Sequence, residues 1–342
     1  MTPEAAIARV VGGASLAEDE MAAVMERLFQ GAMTPAQVAG LAIALRAKGE
    51  TVDELTGAAR ALRAHMTRVP DVPAGAIDTC GTGGDGASSF NVSTAAALVV
   101  AAAGVPVAKH GNRAASGTVG GADVLEALGV RLALDPAAAS ACLRETGFAF
   151  LFAPAFHPAL RHAAAPRREL GVRTFFNLLG PLANPAGVRR QVVGVAERRW
   201  VEPLAQVLQR LGAERAWVVH GAAGLDELAL EGPSLVADVR PDRIDMREVS
   251  AADADLPPAS IATLQVTAPA EAAARLRAVL AGEPGPARDI VCLNAGAALV
   301  VGGVAADLAD GVARAAATID SGTADALLAR LVVFTAACEG AA

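Results

Sequence analysis

From residue 74 onward, short apolar runs alternate with alanine-rich stretches of helical character, and each apolar run ends in glycine or polar residues. Strands that alternate with helices form a mostly parallel sheet with helices on both faces. Ligands of such sheets bind at the carboxyl ends of the strands. The sequence therefore predicts an α/β fold whose polar clusters meet at one edge. The predicted strands are residues 76–79, 105–109, 148–152, 191–195 and 216–220.

The first 66 residues have a different sequence pattern, in which capping boxes mark the starts of helices. In a capping box a hydroxyl accepts an early helical N–H, and an acid or amide three residues on reaches back. We predict a small helical domain over residues 1–70, joined by helices from about 166–186, and a larger α/β domain over residues 74–342, with a central sheet flanked by helices. The boxes pair Ser15 with Glu18, Thr34 with Gln37 and Thr51 with Glu54, while Gly31 and Gly49 mark helix ends.

Composition excludes several classes of protein. The 342 residues are 53% hydrophobic and 19% charged, which is typical of a globular protein with a core. With Lys plus Arg at 29 against Asp plus Glu at 36, and no Tyr, a general nucleic-acid-binding surface is disfavoured. The four cysteines lie far apart without histidines at ligand spacing, so we expect free thiols. The absence of a signal-peptide pattern and of a long apolar run predicts a soluble cytoplasmic protein without membrane contact.

The first chemistry-bearing cluster is residues 78–86, which read DTCGTGGDG directly after a predicted strand. Its glycines remove Cβ atoms, so backbone N–H groups can approach an anion. The segment has the character of a phosphate or diphosphate cradle, and a tight strand-to-helix turn is the alternative. It is not a P-loop, because no Gly-Lys-Ser/Thr ends it, and we do not expect the glycines to form a dinucleotide-binding arrangement. We expect Cys80 to be a small buried residue and not a nucleophile.

Two further clusters follow. Residues 88–94 read SSFNVST and open a helix, so hydroxyls and free N–H groups can form a second anion site, with a simple helix cap as the alternative. Residues 109–113 read KHGNR after a predicted strand. Lys109 offers a charge for phosphate, and Asn112 can orient a polar second substrate. For His110 we expect packing or hydrogen bonding ahead of a general-base role.

An acidic pair and an arginine complete the candidates. Asp226 and Glu227 are adjacent in a predicted turn, and neighbouring carboxylates suit Mg²⁺, although such a pair alone is usually a solvated turn. Arg167 can hold a carboxylate through two hydrogen bonds. Gly180 precedes a proline, and such a pair would end a helix with its backbone close to a ligand. Taken singly, Arg167 and Gly180 are more often structural.

Seven motifs, read in order, resemble those of the anthranilate phosphoribosyltransferase family of tryptophan biosynthesis, and the resemblance spans nearly the whole chain. The motifs are GTGGD at 81–85, NVST at 91–94, KHGNR at 109–113, ADVLEALG at 122–129, RRELG at 167–171, NLLGPLANP at 177–185 and DE at 226–227.

The resemblance implies a homodimer formed through the helical domain, with 5-phosphoribosyl 1-diphosphate and Mg²⁺ in the cleft between the two domains. One or two ions are implied, the first at Ser93 and Glu227 and the second at Asp226 and Glu227. It implies no certain catalytic side chain, and assigns transition-state stabilisation to Lys109, Asp85 and the metal. The other substrate is anthranilate.

The implied binding residues form two sets. For the phosphoribosyl diphosphate they are Gly81, Gly84, Asp85, Ser89, Asn91, Val92, Ser93, Thr94, Lys109, His110, Gly111, Asn112, Arg113, Ala114, Ala115, Ser116, Gly117 and Gly121. For anthranilate they are Gly81, Asn112, His157, Arg167 and Gly180. The sequence departs from the family pattern at Thr118, Gly121, Phe156, Ala165 and Pro166.

Two rival functions remain open at this point. A pyrimidine nucleoside phosphorylase resembles this family in fold and in its glycine-rich and Lys-His segments, but the KHGNR and GPLANP segments disfavour it. A non-catalytic paralogue that binds nucleic acid would need a basic groove, whereas the net charge is −7.

Overall fold

The computed structural model describes residues 1–114 and 119–338. Short 3₁₀ turns join several of the elements. The helices are α1 Pro3–Val11, α2 Glu18–Phe29, α3 Pro35–Lys48, α4 Val52–His65, α5 Val92–Ala102, α6 Gly121–Ala127, α7 Pro136–Thr146, α8 Ala153–Phe156, α9 Arg161–Leu170, α10 Phe176–Leu179, α11 Val201–Arg210, α12 Pro269–Leu280, α13 Pro286–Gly302, α14 Leu308–Asp320 and α15 Thr323–Ala337. The strands are β1 Ile77–Gly81, β2 Val107–Gly111, β3 Phe148–Phe152, β4 Arg190–Gly194, β5 Arg215–His220, β6 Ser234–Val239 and β7 Ile244–Val249.

The strands form one sheet in the order β3-β2-β1-β4-β5-β6-β7. The first five in that order are parallel, and β6 and β7 are antiparallel additions at one edge. The predicted mostly parallel α/β sheet is therefore confirmed. Every predicted strand exists, although β2 begins two residues later than predicted, after Pro106, which has no N–H to give to a ladder.

Two of the three predicted capping boxes are present. Thr34 accepts from the N–H of Gln37 at 3.2 Å, and the Gln37 side chain accepts from the Thr34 N–H at 2.9 Å. Thr51 accepts from the N–H of Glu54 at 3.3 Å, and the Glu54 carboxylate accepts from the Thr51 N–H at 2.8 Å. These contacts satisfy N–H groups that the first helical turn leaves unpaired.

The third box, Ser15 with Glu18, was predicted wrongly. Helix α2 begins at Glu18 itself, and Glu20 accepts from the N–H of Ala17 at 2.9 Å. The hydroxyl of Ser15 instead accepts from Lys48 Nζ at 3.2 Å. A long-range contact determines this outcome, because Leu16 N–H donates to the buried carboxylate of Glu54 at 2.9 Å and fixes the chain before the helix.

Two hydrophobic cores lie on opposite faces of the sheet. One contains α5, α7, α12, α13, α14 and α15. The other contains α1 to α4, α10 and α11 together with one face of β4, β5 and β6. The helices of residues 1–70 share this second core with the segment around α9 and α10, and it continues onto the sheet. The division into domains at residues 70–74 thus stays a prediction.

All four cysteines are free, as expected, and three of them are buried. None of the described helices combines the length and the apolar character that crossing a bilayer requires.

Close packing of α2 against α4 gives a test of the fold. A Cβ added at Gly57 of α4 would overlap the carbonyl oxygen of Glu18, whereas a Cβ at Gly40 of α3 would lie 3.8 Å from Ile7 Cδ1. We expect Gly57→Ala to lower the free energy of unfolding by about 1–3 kcal/mol, because the backbones must move apart. The control Gly40→Ala should raise it by up to about 1 kcal/mol, because alanine favours helix. Urea unfolding measures both, and wild-type stability in Gly57→Ala would contradict the packing.

Candidate active site

The loops that follow β1 and β5 and the start of α5 meet at the carboxyl edge of the sheet. The N–H of Gly83 donates to Asp226 Oδ2 at 2.9 Å, and the N–H of Ser93 donates to Glu227 Oε1 at 2.8 Å. Lys109, in the middle of β2, donates from Nζ to the carbonyl of Thr79 and to Ser93 Oγ, the latter at 3.2 Å. Four of the clusters singled out in the sequence therefore surround one place.

Close backbone approach explains the glycines at two strand ends. A Cβ at Gly81 would lie 2.5 Å from Asp226 Oδ2, and a Cβ at Gly194 would overlap the carbonyl oxygen of Asp226. Gly194 ends β4 and was not among the predicted site residues. The sequence signal was the glycine that closes a strand, but nothing local shows that the Asp226 loop crosses above it.

The carboxylates of the acidic pair are largely buried, contrary to the expectation of a surface turn. Burial raises the pKa of Asp226 to about 7, and the neighbouring charge of Asp85 adds to the effect. Burial likewise raises the pKa of Glu227 to about 8, with Asp226 and Asp85 adding to it. The buried oxygen Oε2 of Glu227 has no hydrogen-bond partner among the described residues. The adjacent carboxyl groups of Asp226 and Glu227, one of them with an orphaned oxygen, suit a bound cation.

The cation would need further ligands from outside the protein. Within residues 1–114 and 119–338, no group of three or more His, Cys, Asp or Glu side chains is arranged to hold a metal ion. Mg²⁺ usually binds through one or two carboxylates together with water and substrate phosphates. Asp226, Glu227 and the hydroxyl of Ser93 fit that incomplete kind of site.

Burial also affects the ammonium of Lys109, which is 3% exposed. Desolvation lowers the pKa of Lys109, and the carboxylates of Asp78 and Glu227 oppose that effect. Asp78 itself is fully buried and accepts from the backbone N–H of His110 at 3.1 Å and from Asn184 Nδ2 at 2.8 Å. Cys80 is buried as expected, and burial raises the pKa of its thiol.

Two buried histidines pair beneath the loop that carries Gly180. His110 Nδ1 lies 3.0 Å from the carbonyl oxygen of Gly180, and the Nε2 atoms of His110 and His157 are 3.2 Å apart. Desolvation lowers the pKa of His110 to about 3 and that of His157 to about 4. Both rings are thus neutral at pH 7, which agrees with the expected hydrogen-bonding role of His110.

Arg167 lies on α9 with its guanidinium 5.3 Å from the ring centre of Phe176. Burial lowers the pKa of Arg167. No hydrogen bond or ion pair engages this guanidinium within the part of the chain described, so its N–H groups are available to a ligand. Arg168 beside it is exposed.

The other predicted residues differ in what they offer. Asn91 caps α5 with a left-handed backbone, φ 68°, and donates to the carbonyl of Val119 at 2.8 Å. Thr94 Oγ1 is buried and has no partner among the described residues, and a Cβ at Gly121 would lie 3.1 Å from it. Asp85 Oδ1 accepts from the N–H of Ala87 at 3.1 Å. Gly111 ends β2 against the ring of Phe150, and Asn112 accepts from the Arg113 N–H at 2.8 Å.

Some predicted residues do not present a free side chain to this place. Val92 is fully buried in the core, and Ser89 pairs through its backbone with Gln265. The guanidinium of Arg113 is engaged by Glu126 and Asp123 on α6. The backbone N–H of Ala114 also donates to Asp123, at 3.1 Å. Ala115, Ser116, Gly117 and Thr118 lie outside the described residues.

Comparison with known proteins identifies the family. Residues 4–66 match the helical bundle domain of a glycosyl transferase family, and residues 74–325 match its a/b domain. An anthranilate phosphoribosyltransferase from Rhodopseudomonas palustris is 52% identical over 98% of both chains, and one from Rhodospirillum rubrum is 54% identical over 97% of this chain and 95% of its own. The chain belongs to the anthranilate phosphoribosyltransferase family.

Solved structures agree with this assignment. The crystal structure of the Thermus thermophilus anthranilate phosphoribosyltransferase is similar with a TM-score of 0.92 and 45% identity, covering 97% of this chain and 99% of that one. The Saccharomyces cerevisiae enzyme, solved in complex with PRPP and Mg, shares the fold with a TM-score of 0.89 at 24% identity, over 98% of each chain. The predicted fold class and the family resemblance are thus confirmed.

The histidine pair predicts how stability depends on pH. Both folded pKa values lie below the ordinary value of about 6.5, so below that pH the unfolded chain binds protons that the folded chain does not. The contribution of these rings to the free energy of unfolding is fully present above about pH 6.5 and is lost as the pH falls towards 4. We expect His110→Asn to flatten this dependence in urea unfolding between pH 7 and 5. The control His162→Gln leaves the pair intact and should keep the wild-type dependence, and equal slopes in all three proteins would refute the assignment.

Proposed function

We propose that this chain transfers the 5-phosphoribosyl group from 5-phosphoribosyl 1-diphosphate to the amine of anthranilate, with release of diphosphate, in L-tryptophan biosynthesis. The observation that carries the proposal is the pair Asp226 and Glu227, hydrogen-bonded at once to the glycine-rich loop and to the start of α5. Membership of the family supports it.

The donor half of the site suits the leaving group. As the bond between ribose C1 and diphosphate breaks, positive charge grows on the sugar in an oxocarbenium-like transition state and negative charge grows on the diphosphate. The N–H groups of residues 81–86 and of the start of α5 that have no partner in the described part of the chain, together with the ammonium of Lys109, stabilise that negative charge more in the transition state than in the bound substrate. Asp226, Glu227 and Ser93 would hold Mg²⁺, which supplies Lewis-acid stabilisation when bound. Asp85 stands beside this pair and can favour the positive charge of the sugar.

The acceptor half suits a flat aromatic acid. The guanidinium of Arg167 is free to hold the carboxylate of anthranilate, and Asn112, His157 and the backbone of Gly180 would line the ring. An aniline-type amine is neutral at pH 7, so its attack on C1 needs alignment more than a strong base. The neutral His110 and His157 are compatible with such an attack, because they place no charge beside the amine.

We further infer a cytoplasmic homodimer that binds one or two Mg²⁺ ions. Support for the dimer comes from the helical part, where Val11 at the end of α1 and Ile43 on α3 are exposed hydrophobic side chains. Sedimentation of the full chain tests it.

The direct test mixes the protein with anthranilate, phosphoribosyl diphosphate and Mg²⁺ and follows the loss of anthranilate fluorescence. Mg²⁺-dependent loss is expected, and its absence would reject the function. Phosphate-dependent release of base from thymidine or uridine would favour a pyrimidine nucleoside phosphorylase. A salt-sensitive gel shift at micromolar protein would favour the nucleic-acid-binding alternative.

Removing the charge of the acidic pair should abolish turnover and leave the fold intact. In Asp226→Asn with Glu227→Gln, amide oxygens can still accept from the N–H groups of Gly83 and Ser93, but the cation loses both of its carboxylates. Steady-state rates over a Mg²⁺ titration, with circular dichroism, measure this. The control, Asp245→Asn with Glu248→Gln on exposed β7, makes the same change of charge and should keep full activity. Unaltered turnover in the first variant would place the metal elsewhere.

Arg167→Ala should mainly raise the KM for anthranilate. Loss of a hydrogen-bonded charge pair costs about 2 kcal/mol, roughly thirty-fold in kcat/KM. The exposed neighbour gives a matched control, since Arg168→Ala removes the same charge from the same helix and should change little. Equal losses for both substrates would move Arg167 out of the acceptor site.

A further inference from the structure

Arg173, which lies outside the predicted site, contacts the glycine-rich loop that follows β1, residues 82–86. It lies between α9 and α10, two residues after Gly171, which ends α9 with φ 63°. Its Nη2 donates to the carbonyl oxygen of Thr82 at 3.3 Å. Its guanidinium also occupies the space above Gly84, where an added Cβ would overlap Nη1. Gly84 itself has φ 77°.

The segment that carries Arg173 belongs to the helical side of the molecule. Phe175 and Phe176 are buried in the core that contains α1 to α4, and α9 packs against α3. The N–H of Thr174 donates to Asn177 Oδ1 at 3.0 Å and holds the turn before α10. Arg173 thus reaches from the helical side of the cleft to a loop that follows β1 of the sheet.

The loop is held from several sides. The N–H of Thr82 donates to the carbonyl of Gly194 at 2.9 Å, and the N–H of Gly83 donates to Asp226. Both of these contacts come from the sheet side. Arg173 contacts the loop from the other side of the cleft: it donates to the carbonyl of Thr82 and packs against Gly84, where no side chain stands in the way.

The electrostatic surroundings keep the guanidinium in place without an ion pair. Burial lowers the pKa of Arg173, and the carboxylates of Glu197, Asp226 and Asp85 oppose that effect while Arg46 adds to it. Among the described residues no carboxylate lies within ion-pair distance of Arg173. Its attachment to the loop therefore depends on the planar guanidinium, which a lysine ammonium cannot reproduce.

We propose that Arg173 is a positioning residue, which fixes the loop of residues 82–84 so that the N–H of Gly84, which has no partner among the described residues, faces the diphosphate. It acts through the loop and need not touch the substrate. The identity of the ligand rests on the proposed function, but the contact of Arg173 with the loop does not.

Hydrogen exchange of the free protein tests the contact independently of any activity. Arg173→Ala should raise exchange at the amides of Thr82 and Gly83 by about ten-fold, because loss of one hydrogen bond and its packing makes local opening easier. Exchange within α5 should not change. Arg168→Ala is the matched control and should match the wild type. Unchanged exchange at the loop in Arg173→Ala would overturn the proposal, whatever the activity of the variant.

Kinetics test the consequence for the site. Arg173→Ala should raise the KM for phosphoribosyl diphosphate about ten-fold and change the KM for anthranilate less than about two-fold. Arg173→Lys, which keeps the charge, should show most of the same defect and also guards against misfolding of the alanine variant. Full activity in Arg173→Lys, or equal effects on both substrates, would contradict a role through the planar contact.

A double-mutant cycle with Gly84 completes the test. Gly84→Ala should raise the KM for phosphoribosyl diphosphate about ten-fold in the wild-type background, because the methyl group displaces the guanidinium. In the Arg173→Ala background the same substitution should raise this KM less than about three-fold. That smaller increase reflects the strain of alanine in the left-handed backbone conformation of residue 84. Additive effects would show that the two residues do not act through each other.

Discussion

The cleft depends on two hydrogen bonds that run from adjacent carboxylates to backbone N–H groups on different elements. The carboxylate of Asp226 accepts a hydrogen bond from the N–H of Gly83, and that of Glu227 accepts one from the N–H of Ser93. Without these acceptors, the glycine-rich loop and the start of α5 would share an edge of the sheet but would have no fixed separation. The same two carboxylates are the ones a cation would need. The architecture of the free protein and the chemistry of the loaded protein therefore rest on one dipeptide.

Burial gives this dipeptide its properties. Carboxylates in water would be ionised and independent, but here desolvation and mutual repulsion raise both pKa values, and one oxygen of Glu227 has no partner. A divalent ion removes both penalties at once. The nearby ammonium of Lys109 relieves them in part and is itself buried among groups of opposite charge. The buried carboxylates of the site are thus only partly compensated within the protein, and a bound cation would compensate the rest.

Local patterns in the sequence predicted much of the fold and many of the site's members. The alternation of strands and helices predicted the parallel sheet, and the boxes at Thr34 and Thr51 predicted two helix starts correctly. Ser15 failed because Glu54, far along the chain, determines the backbone before α2. The antiparallel strands β6 and β7 were not predicted, because no helix lies between them and the prediction relied on the alternation of strands with helices. Arg173 and Gly194 could not be found either, because their roles come from a close approach between segments distant in sequence.

Asp78 links strand β2 to the segment that precedes β4. Its carboxylate accepts one hydrogen bond from the backbone N–H of His110 and another from the side-chain amide of Asn184. Asn184 also donates to the carbonyl of Ala108 at 2.8 Å. The segment around Asn184 is therefore tied to β2, the strand that carries Lys109. Any redesign of this segment should retain Asn184, because its loss would remove a donor from the buried carboxylate of Asp78 and from the carbonyl of Ala108 and would disturb β2 as well.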